Sequence, residues 1–360
     1  MKKKYTLGFC ALICSSAIFM SCTKNESPGS IGQSLKDMRL LVANEGQFGN
    51  PTASLSGVSK DNTITNNIFS MVNNRPLGDI AQSIAVINNV VYVALNNSHK
   101  LEAMDDHFRS LETMICPDGT VPGYISYLGG DSIAVSDKNF NGNGKLMILD
   151  INHSAQRKVV RRTIESGSAN QMLCLNGKLF LSGSSLRVLS LGDMKESSMR
   201  TIKNSKGEDL SVAGDAKLVE DFNGNIWMLN KDCLYCIDPI SENVIRELPI
   251  KTLQVGEWDG RLDISPDKRT LYFTASLDKK IGIATMSVLA EAVPEILTVD
   301  LTSRVKNLYN MAVSPEGNLF ICDVEFSNLT RSNLHELTPD GSKIRTFRAG
   351  IMPQYIHFVK

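Results

Sequence analysis

Short segments of alternating apolar and polar residues, separated by turn-forming pairs, recur along the chain at intervals of about 46 residues. Each repeat opens with an alternating segment, passes a turn, and continues into a second and a third strand. The opening segments are Asp79–Ile84, Gly123–Leu128, Ser168–Leu173, Gly214–Val219, Asp259–Ile264, Tyr309–Val313 and Pro353–Phe358. This period, with strand patterns and no amphipathic helix, is typical of the blades of a β-propeller.

The turns inside the repeats carry residues that tolerate a positive φ. Asn88-Asn89 and Asn176-Gly177 each separate two apolar runs and predict tight hairpins. Third strands are predicted at Lys145–Ile151, Cys233–Asp238 and Ile281–Met286.

The last repeat has one strand before the chain stops at Lys360. Strands that can complete it are predicted at Met38–Ala43, Ala53–Ser59 and Thr63–Phe69. Pairing the C-terminal strand with these N-terminal strands removes the open edges of the ring. The sequence therefore predicts an all-β fold, a seven-bladed β-propeller closed by that pairing, in one domain of residues 37–360. Six or eight blades remain alternative counts.

The N-terminus has the pattern of an export signal. A basic segment, Lys2–Lys4, precedes the apolar stretch Thr6–Phe19, which is short for a membrane span. Phe19-Met20-Ser21-Cys22 resembles a bacterial lipobox, which implies cleavage before Cys22 and lipidation of its thiol. We predict a lipoprotein signal peptide at 1–21 and a lipidated flexible tether at 22–36. An ordinary signal peptide with a chance cysteine is the alternative.

Composition bounds the possible partners. The chain has 38 basic and 38 acidic residues, and removal of the leader leaves 35 basic residues. Outside the leader there is no long Lys/Arg run, so the sequence does not predict a nucleic-acid surface.

Five cysteines follow Cys22, and an odd number argues against a complete disulfide framework. Cys233 and Cys236 are spaced like a metal or redox pair, but residues three apart in a strand point to opposite faces. Buried thiols are the favoured interpretation.

Enzyme and metal motifs are weak. The histidines lack metal-ligand spacing, and neither a phosphate loop nor a nucleophile elbow occurs. Asp137–Gly142 imitates half of an EF-hand loop, but Ile148 stands where its last carboxylate belongs, so a hairpin loop is favoured over a calcium site. His99 could be an axial ligand to a corrin cobalt, although a turn histidine is commoner. We expect no enzyme activity, no bound metal and no cofactor.

The loops that lead into the innermost strands of a propeller surround one mouth of its channel. Here they carry amides, aromatic rings and one arginine, which suit a bulky polar ligand rich in amide groups. The same side chains could instead satisfy backbone groups at the mouth. The predicted ligand-binding residues are Asn44, Gln47, Phe48, Gln82, Asn97, Tyr124, Asn139, Asn170, Trp258, Arg261, Tyr309 and Tyr355.

The segments Asn44–Gly49, Ser54–Ser56, Asn67–Phe69, Asn73–Ser83 and Asn96–Ser98 resemble the N-terminal signature of Bacteroidetes YncE-like surface lipoproteins. The later blades resemble them by pattern alone. That family consists of seven-bladed propellers, and it includes the BtuG-type lipoproteins, which capture vitamin B12 at the outer membrane and pass it to a TonB-dependent transporter.

The resemblance implies an outer-membrane, lipid-anchored surface protein that binds cobalamin or a related corrinoid as a ligand. A closed ring holds its loops with little ordering cost, which favours tight capture. Two other hypotheses remain: a propeller adhesin or scaffold for protein or glycan, which predicts an exposed aromatic patch away from the mouth, and a propeller hydrolase or lyase.

Overall fold

Residues Gln33–Lys360 form one compact unit. The computed structural model describes residues 32–117, 119–139, 144–153, 159–257, 260–326 and 330–360. The predicted signal peptide and Cys22 lie outside the described residues. Every element described below belongs to this unit.

Strands dominate the described residues. The first fourteen are β1 (Met38–Asn44), β2 (Ser54–Ser59), β3 (Ile64–Thr65), β4 (Ala81–Ile87), β5 (Val90–Leu95), β6 (Lys100–Met104), β7 (Ser110–Ile115), β8 (Pro122–Gly129), β9 (Ser132–Asp137), β10 (Lys145–Asp150), β11 (Val160–Glu165), β12 (Gln171–Leu175), β13 (Lys178–Ser182) and β14 (Leu186–Ser190). The other fourteen are β15 (Arg200–Ile202), β16 (Val219–Glu220), β17 (Ile226–Leu229), β18 (Cys233–Asp238), β19 (Asn243–Pro249), β20 (Leu262–Ile264), β21 (Thr270–Leu277), β22 (Lys280–Ser287), β23 (Val299–Asp300), β24 (Leu308–Val313), β25 (Leu319–Asp323), β26 (Asn333–Leu337), β27 (Lys343–Arg348) and β28 (Pro353–Phe358).

Helix is scarce in the same residues. They contain one α-helix, α1 (Ile68–Asn73), and three 3₁₀ turns at Leu35–Asp37, Asn96–Ser98 and Glu196–Ser198. Among the described residues, no helix has both the length and the apolar character needed to span a membrane.

The strands form seven antiparallel four-stranded sheets, which confirms the predicted seven-bladed propeller. In six of them the four strands follow one another in chain order: β4–β7 make blade 1, β8–β11 blade 2, β12–β15 blade 3, β16–β19 blade 4, β20–β23 blade 5 and β24–β27 blade 6. In these six blades the innermost strand comes first in the chain, as the opening segments predict.

Blade 7 joins the two ends of the propeller. Its strand order is β28-β1-β2-β3, with Val42 opposite Ile356 and Ala43 opposite Tyr355. The predicted closure is therefore observed. Asn44 strengthens it, because its Oδ1 accepts a hydrogen bond from the Gly350 amide at 3.1 Å.

The hairpin turns follow the predicted chemistry. Asn88 and Asn89 have φ of 51° and 62°, and Asn176 and Gly177 have φ of 52° and 70°. Positive φ at both central positions matches the twist of the flanking strands.

The predicted strand Thr63–Phe69 was wrong after Thr65, where β3 ends. Asn67 takes a left-handed conformation with φ of 56°, and α1 begins at the next residue. Phe69 is buried in the apolar cluster between blades 7 and 1. Short apolar runs such as Ile68-Phe69 fit a strand or a buried helical turn equally well, so periodicity cannot separate the two.

The core is distributed between the blades. Each of seven apolar clusters lies between two neighbouring blades, and Trp227 and Phe273, for example, fill the interface of blades 4 and 5. Cys236 belongs to that interface, whereas Cys233 lies on the opposite face of β18, as strand alternation predicts. Both thiols are free, and burial raises their pKa values to about 12 and about 11 respectively.

The propeller has two faces that differ in the loops they carry. At the upper face the innermost strands begin, and the loops between second and third strands project there. The lower face carries the turns between first and second strands, such as Asn88-Asn89, and those between third and fourth strands. Near the start of the propeller the Leu35 amide donates to Asp106 O at 2.6 Å, in the turn between β6 and β7. Leu35 therefore lies at the lower face of the propeller.

Candidate ligand-binding site

Polar side chains from several blades meet around the propeller axis below the upper face. At their centre is Asp215 at the start of blade 4, whose carboxylate accepts two hydrogen bonds from Lys138 Nζ at 3.0 and 3.1 Å. Gln354 of blade 7 donates to the same carboxylate at 3.3 Å. Burial alone would raise the pKa of Asp215, but Lys138 and Arg261 hold it below its ordinary value. Because these contacts cross the ring, they fix the blades to one another.

Tyr124 lies beside this carboxylate and is almost fully buried. Its hydroxyl accepts a hydrogen bond from Gln82 Nε2 at 3.3 Å, and its ring centroid is 5.9 Å from that of Tyr355. Lys138 Nζ is 5.4 Å from the Tyr124 centroid, a cation–π distance. Burial raises the pKa of Tyr124 well above its ordinary value, so the ring presents a neutral hydroxyl.

A second ion pair lies on the innermost strands. Lys217 Nζ is 2.6 Å from Asp263 Oδ2, which also accepts from the Val313 amide at 3.0 Å. Burial lowers the pKa of Lys217, but Asp263 more than reverses this and the net shift is upward. Burial lowers the pKa of His357, farther along β28, to about 4, and the positive charges of Lys217 and Lys360 add to this shift. Lys217 and Asp263 thus form a second compensated ion pair in addition to Lys138 and Asp215.

One carboxylate of the site, Glu45, is held by a neighbouring blade. Tyr309 Oη donates to Glu45 Oε2 at 2.7 Å. Burial raises the pKa of Glu45, and burial together with Glu45 raises the pKa of Tyr309. The Tyr309 ring meets that of Phe326 edge-on at 6.1 Å, and Phe326 is 52% exposed. A buried polar contact thus supports an accessible aromatic pair.

That aromatic pair lines a cavity of about 600 Å³ between blades 5 and 6 at the upper face. Arg261, also in its lining, is 5% exposed and is oriented by its Nη1, which donates to Gly260 O at 2.8 Å. Lys306 lines the same cavity and pairs with Glu325 at 2.5 Å. Aromatic edges beside cationic groups suit a ligand with apolar faces and hydrogen-bond acceptors.

The structure brings part of the predicted set together. The members at the mouth are Gln82, Tyr124, Arg261, Tyr309 and Tyr355. Phe48, in the loop between β1 and β2 of neighbouring blade 7, is 78% exposed at the upper face, and Gln47 precedes it.

Other predicted residues lie on the upper face but use their amides within the protein. Asn170 Nδ2 donates to Gly214 O at 2.7 Å, and Asn97 Nδ2 donates to Asp79 Oδ2 at 2.6 Å. The backbone amide of Asn139 donates to Asp137 Oδ1 at 3.0 Å. Their positions match the prediction, while the first two amide groups are already engaged.

Asn44 has the most internal position of the set. Its side chain is fully buried, and its Nδ2 donates to Ser56 Oγ at 2.8 Å while its Oδ1 takes the Gly350 amide. This arrangement serves the closure of blade 7. Trp258, the remaining predicted residue, lies outside the described residues.

The loop compared with an EF-hand is organised by its first carboxylate. Asp137 accepts hydrogen bonds from the amides of Val121, Asn139 and Lys145 at 2.9, 3.0 and 3.3 Å. Residues 140–143 of that loop fall outside the described part. His99 sits in a turn with φ of 50°, and its Nδ1 is 2.6 Å from Thr120 O, so that nitrogen is committed to the turn.

Sequence reasoning missed several charged residues of the site. Glu45 lies within the Asn44–Gly49 motif and Lys138 directly after β9, so both were close to positions that the pattern had singled out. Lys217 and Asp263 are near the starts of innermost strands. The alternation of polar and apolar residues along the opening segments was the signal that could have identified Lys217 and Asp263.

Solved structures of similar architecture come from several proteins. A quinonprotein alcohol dehydrogenase-like protein from Bacteroides thetaiotaomicron matches with a TM-score of 0.64 at 11% identity, over 91% of this chain and 80% of that one. A putative 6-phosphogluconolactonase from Bacteroides fragilis gives 0.61 at 12%, over 93% and 100%. The periplasmic gluconolactonase of Pseudomonas aeruginosa gives 0.62 at 12%, over 90% and 99%. At these identities the likeness shows the fold alone.

No curated protein matches the chain. A family model does, over residues 39–330, which covers most of the seven blades. The chain belongs to the family described as a domain of unknown function, DUF5074.

Proposed function

We propose that the protein is a binding protein that captures a corrinoid, cobalamin or a relative of it, at the mouth on the upper face. The observation that carries the proposal is the accessible aromatic and cationic lining above a cross-linked polar floor. Phe326, Tyr309 and Arg261 line the cavity, while the Lys138–Asp215 pair holds the groups beneath it. Such a preorganised surface binds without a large ordering cost.

The positions of exposed aromatic residues favour capture at the mouth over an adhesin or scaffold role. Among the described residues the two most exposed aromatic side chains, Phe48 and Phe326, both lie on the upper face, in neighbouring blades 7 and 6. The adhesin hypothesis predicts a large aromatic patch elsewhere. Phe222, at the lower face, is covered on one side by Arg269 at 4.0 Å.

The choice of a corrinoid rests on the resemblance to BtuG-type lipoproteins. Two of the segments that carry it, Asn44–Gly49 and Asn96–Ser98, lie at or next to the upper-face loops. The proposal includes lipid attachment at Cys22, display at the outer membrane, and transfer of the ligand to a TonB-dependent transporter. It assigns binding and no catalysis to the site.

Calorimetric titration of the purified protein with cyanocobalamin and with cobinamide tests this function. We expect a dissociation constant below about 1 μM, equivalent to about −8 kcal/mol. Phe326→Ala should weaken binding about tenfold because it removes aromatic contact area. Phe222→Ala, which removes an exposed ring from the lower face, is the matched control and should leave the affinity unchanged. Absence of binding to both corrinoids would sink the proposal.

A further inference from the structure

Arg187, in the third strand of blade 3, is a buried arginine without a carboxylate partner in the described part of the chain. It is 8% exposed, its Nη2 donates to Ser168 O at 2.6 Å, and its Nε is buried without an acceptor. Burial lowers its pKa. A buried charge is costly unless an opposite charge or several hydrogen bonds compensate it.

Other arginines of this propeller show the usual compensation. Arg39 lies 2.6 Å from Glu336, and Arg75 lies 2.6 Å from Glu102. Both carboxylates are almost completely buried. Arg187 therefore differs from Arg39 and Arg75, each of which has a carboxylate partner.

The backbone of Gly183 packs close to the Arg187 guanidinium. A Cβ atom added at Gly183 would lie 2.7 Å from Ser168 O and 3.5 Å from Arg187 Nη2, so a side chain there would crowd the group. Ser184, exposed, and Ser185, half-buried, follow in the same loop between β13 and β14. A guanidinium with an unpaired N–H donor is the chemistry that recognises phosphate and carboxylate oxygens.

Ser168, which Arg187 contacts, is also close in sequence to a residue of the predicted binding surface. Ser168 is two residues before Asn170, whose side chain reaches Gly214 O next to Asp215. The β11–β12 loop, whose Ser168 carbonyl accepts the hydrogen bond from Arg187, therefore also reaches the polar floor of the mouth through Asn170. This loop and the β13–β14 loop that precedes Arg187 both belong to the upper face.

We propose that the Arg187 guanidinium is an oxyanion-binding site at the edge of the mouth, which takes a phosphate group of the captured molecule. The identity of that molecule rests on the proposed function. Cobalamin carries a phosphodiester in its nucleotide loop and cobinamide lacks it, so the pair separates recognition of the anion from recognition of the corrin ring.

The first test uses inorganic phosphate alone. Thermal unfolding of the wild type is followed as phosphate replaces chloride at constant ionic strength. We expect a saturable rise in Tm that Arg187→Gln abolishes. Arg200→Gln, in the same blade, is the control: Arg200 is exposed and paired with Glu242 at 2.6 Å, so its loss should leave the phosphate response intact. Because phosphate also stabilises proteins non-specifically, the difference between variants is decisive.

A second variant keeps the test valid if Arg187→Gln does not fold. Ser184→Glu changes an exposed residue and introduces a carboxylate into the loop that precedes Arg187 in the chain. We expect it to fold and to lose the specific phosphate response. A wild type without a response, or an equal response in wild type and Ser184→Glu, would overturn the oxyanion site.

The second test measures both corrinoids. Arg187→Gln, or Ser184→Glu in its place, should weaken cobalamin binding tenfold or more, as expected for a lost charge-assisted hydrogen bond, and should leave cobinamide within about twofold. Equal effects on both ligands would overturn this assignment while the capture function stands. If the wild type binds neither corrinoid, the capture function fails, and the phosphate titration alone decides the oxyanion site.

Discussion

Tyr309 and Glu45, 264 positions apart in the chain, are joined by a 2.7 Å hydrogen bond between blade 6 and blade 7. The contact connects the accessible Tyr309–Phe326 pair to a carboxylate whose pKa is raised, first of all by burial. The bond therefore links the geometry of the mouth to the protonation of a buried group.

Glu45→Gln should change how stability depends on pH. The pKa of Glu45 is raised in the folded protein. Its contribution to folding stability is therefore fully present below its ordinary pKa of about 4.5, and it is lost as the pH rises through the raised value. Glutamine still accepts the Tyr309 bond and never ionises. We expect the variant to gain stability relative to the wild type between pH 4.5 and pH 7, measured as the free energy of unfolding in urea. A difference that stays constant over this range contradicts the burial of an ionising Glu45.

Asp215→Asn should destabilise the propeller strongly at pH 7. It leaves Lys138 buried without an opposite charge, which costs about 3 kcal/mol. The pKa of Asp215 is lowered, so its contribution is present above the ordinary carboxyl pKa and is lost as pH falls through the lowered value. Chemical denaturation at pH 7 measures the loss.

Two further variants control that measurement. Asp209→Asn removes an exposed partner of Lys203 at 3.3 Å and should cost less than about 1 kcal/mol. Lys138→Met combined with Asp215→Asn should recover part of the lost stability, because the charge of Lys138 is then no longer buried without its partner. Equal losses in Asp209→Asn and Asp215→Asn are the outcome that contradicts the central role of Asp215.

His357→Gln should reduce acid sensitivity. Burial lowers the pKa of His357 to about 4, so the folded protein keeps this ring neutral while the unfolded chain takes up a proton near pH 6.5. Its contribution is complete above pH 6.5 and is lost as pH falls toward 4. We expect a shallower loss of stability in the variant over that interval. His107→Gln, which removes an exposed histidine, should keep the wild-type slope.

The cysteines after Cys22 should differ in reactivity although none is paired. Burial raises the pKa of Cys116 and of Cys236 to about 12, and thiolate is the reactive form. Cys174 is the one partly exposed thiol among the described cysteines. Brief alkylation of the folded protein, read by mass spectrometry, should label Cys174 first. Faster labelling of Cys236 would contradict its position in the interface of blades 4 and 5.

The blade architecture could be predicted because its signals are local. Asn88-Asn89 and Asn176-Gly177 predict turns, because the positive φ values of these turns depend only on the residues at the turn itself. The closing pair of β1 and β28 followed from counting strands, since a ring with an unmatched strand leaves open edges. The turn into α1 at Asn67 was missed, because its αL conformation and the burial of Phe69 depend on packing between blades 7 and 1.

The site could be predicted only by position. The starts of the innermost strands brought Tyr124, Arg261 and Tyr309 to one mouth. The contact between Lys138 and Asp215 across the ring could not be predicted, because these residues belong to blades 2 and 4 and no local pattern pairs residues so far apart. Asn44 has the expected type and loop position, yet its amide closes blade 7.

The hydrogen bond between Leu35 and Asp106 places the start of the propeller at its lower face. The exposed rings of Phe48 and Phe326 lie on the opposite, upper face. The two faces of the ring therefore offer a ligand different chemistry: exposed aromatic edges on one side, and tight hairpin turns such as Asn88-Asn89 on the other.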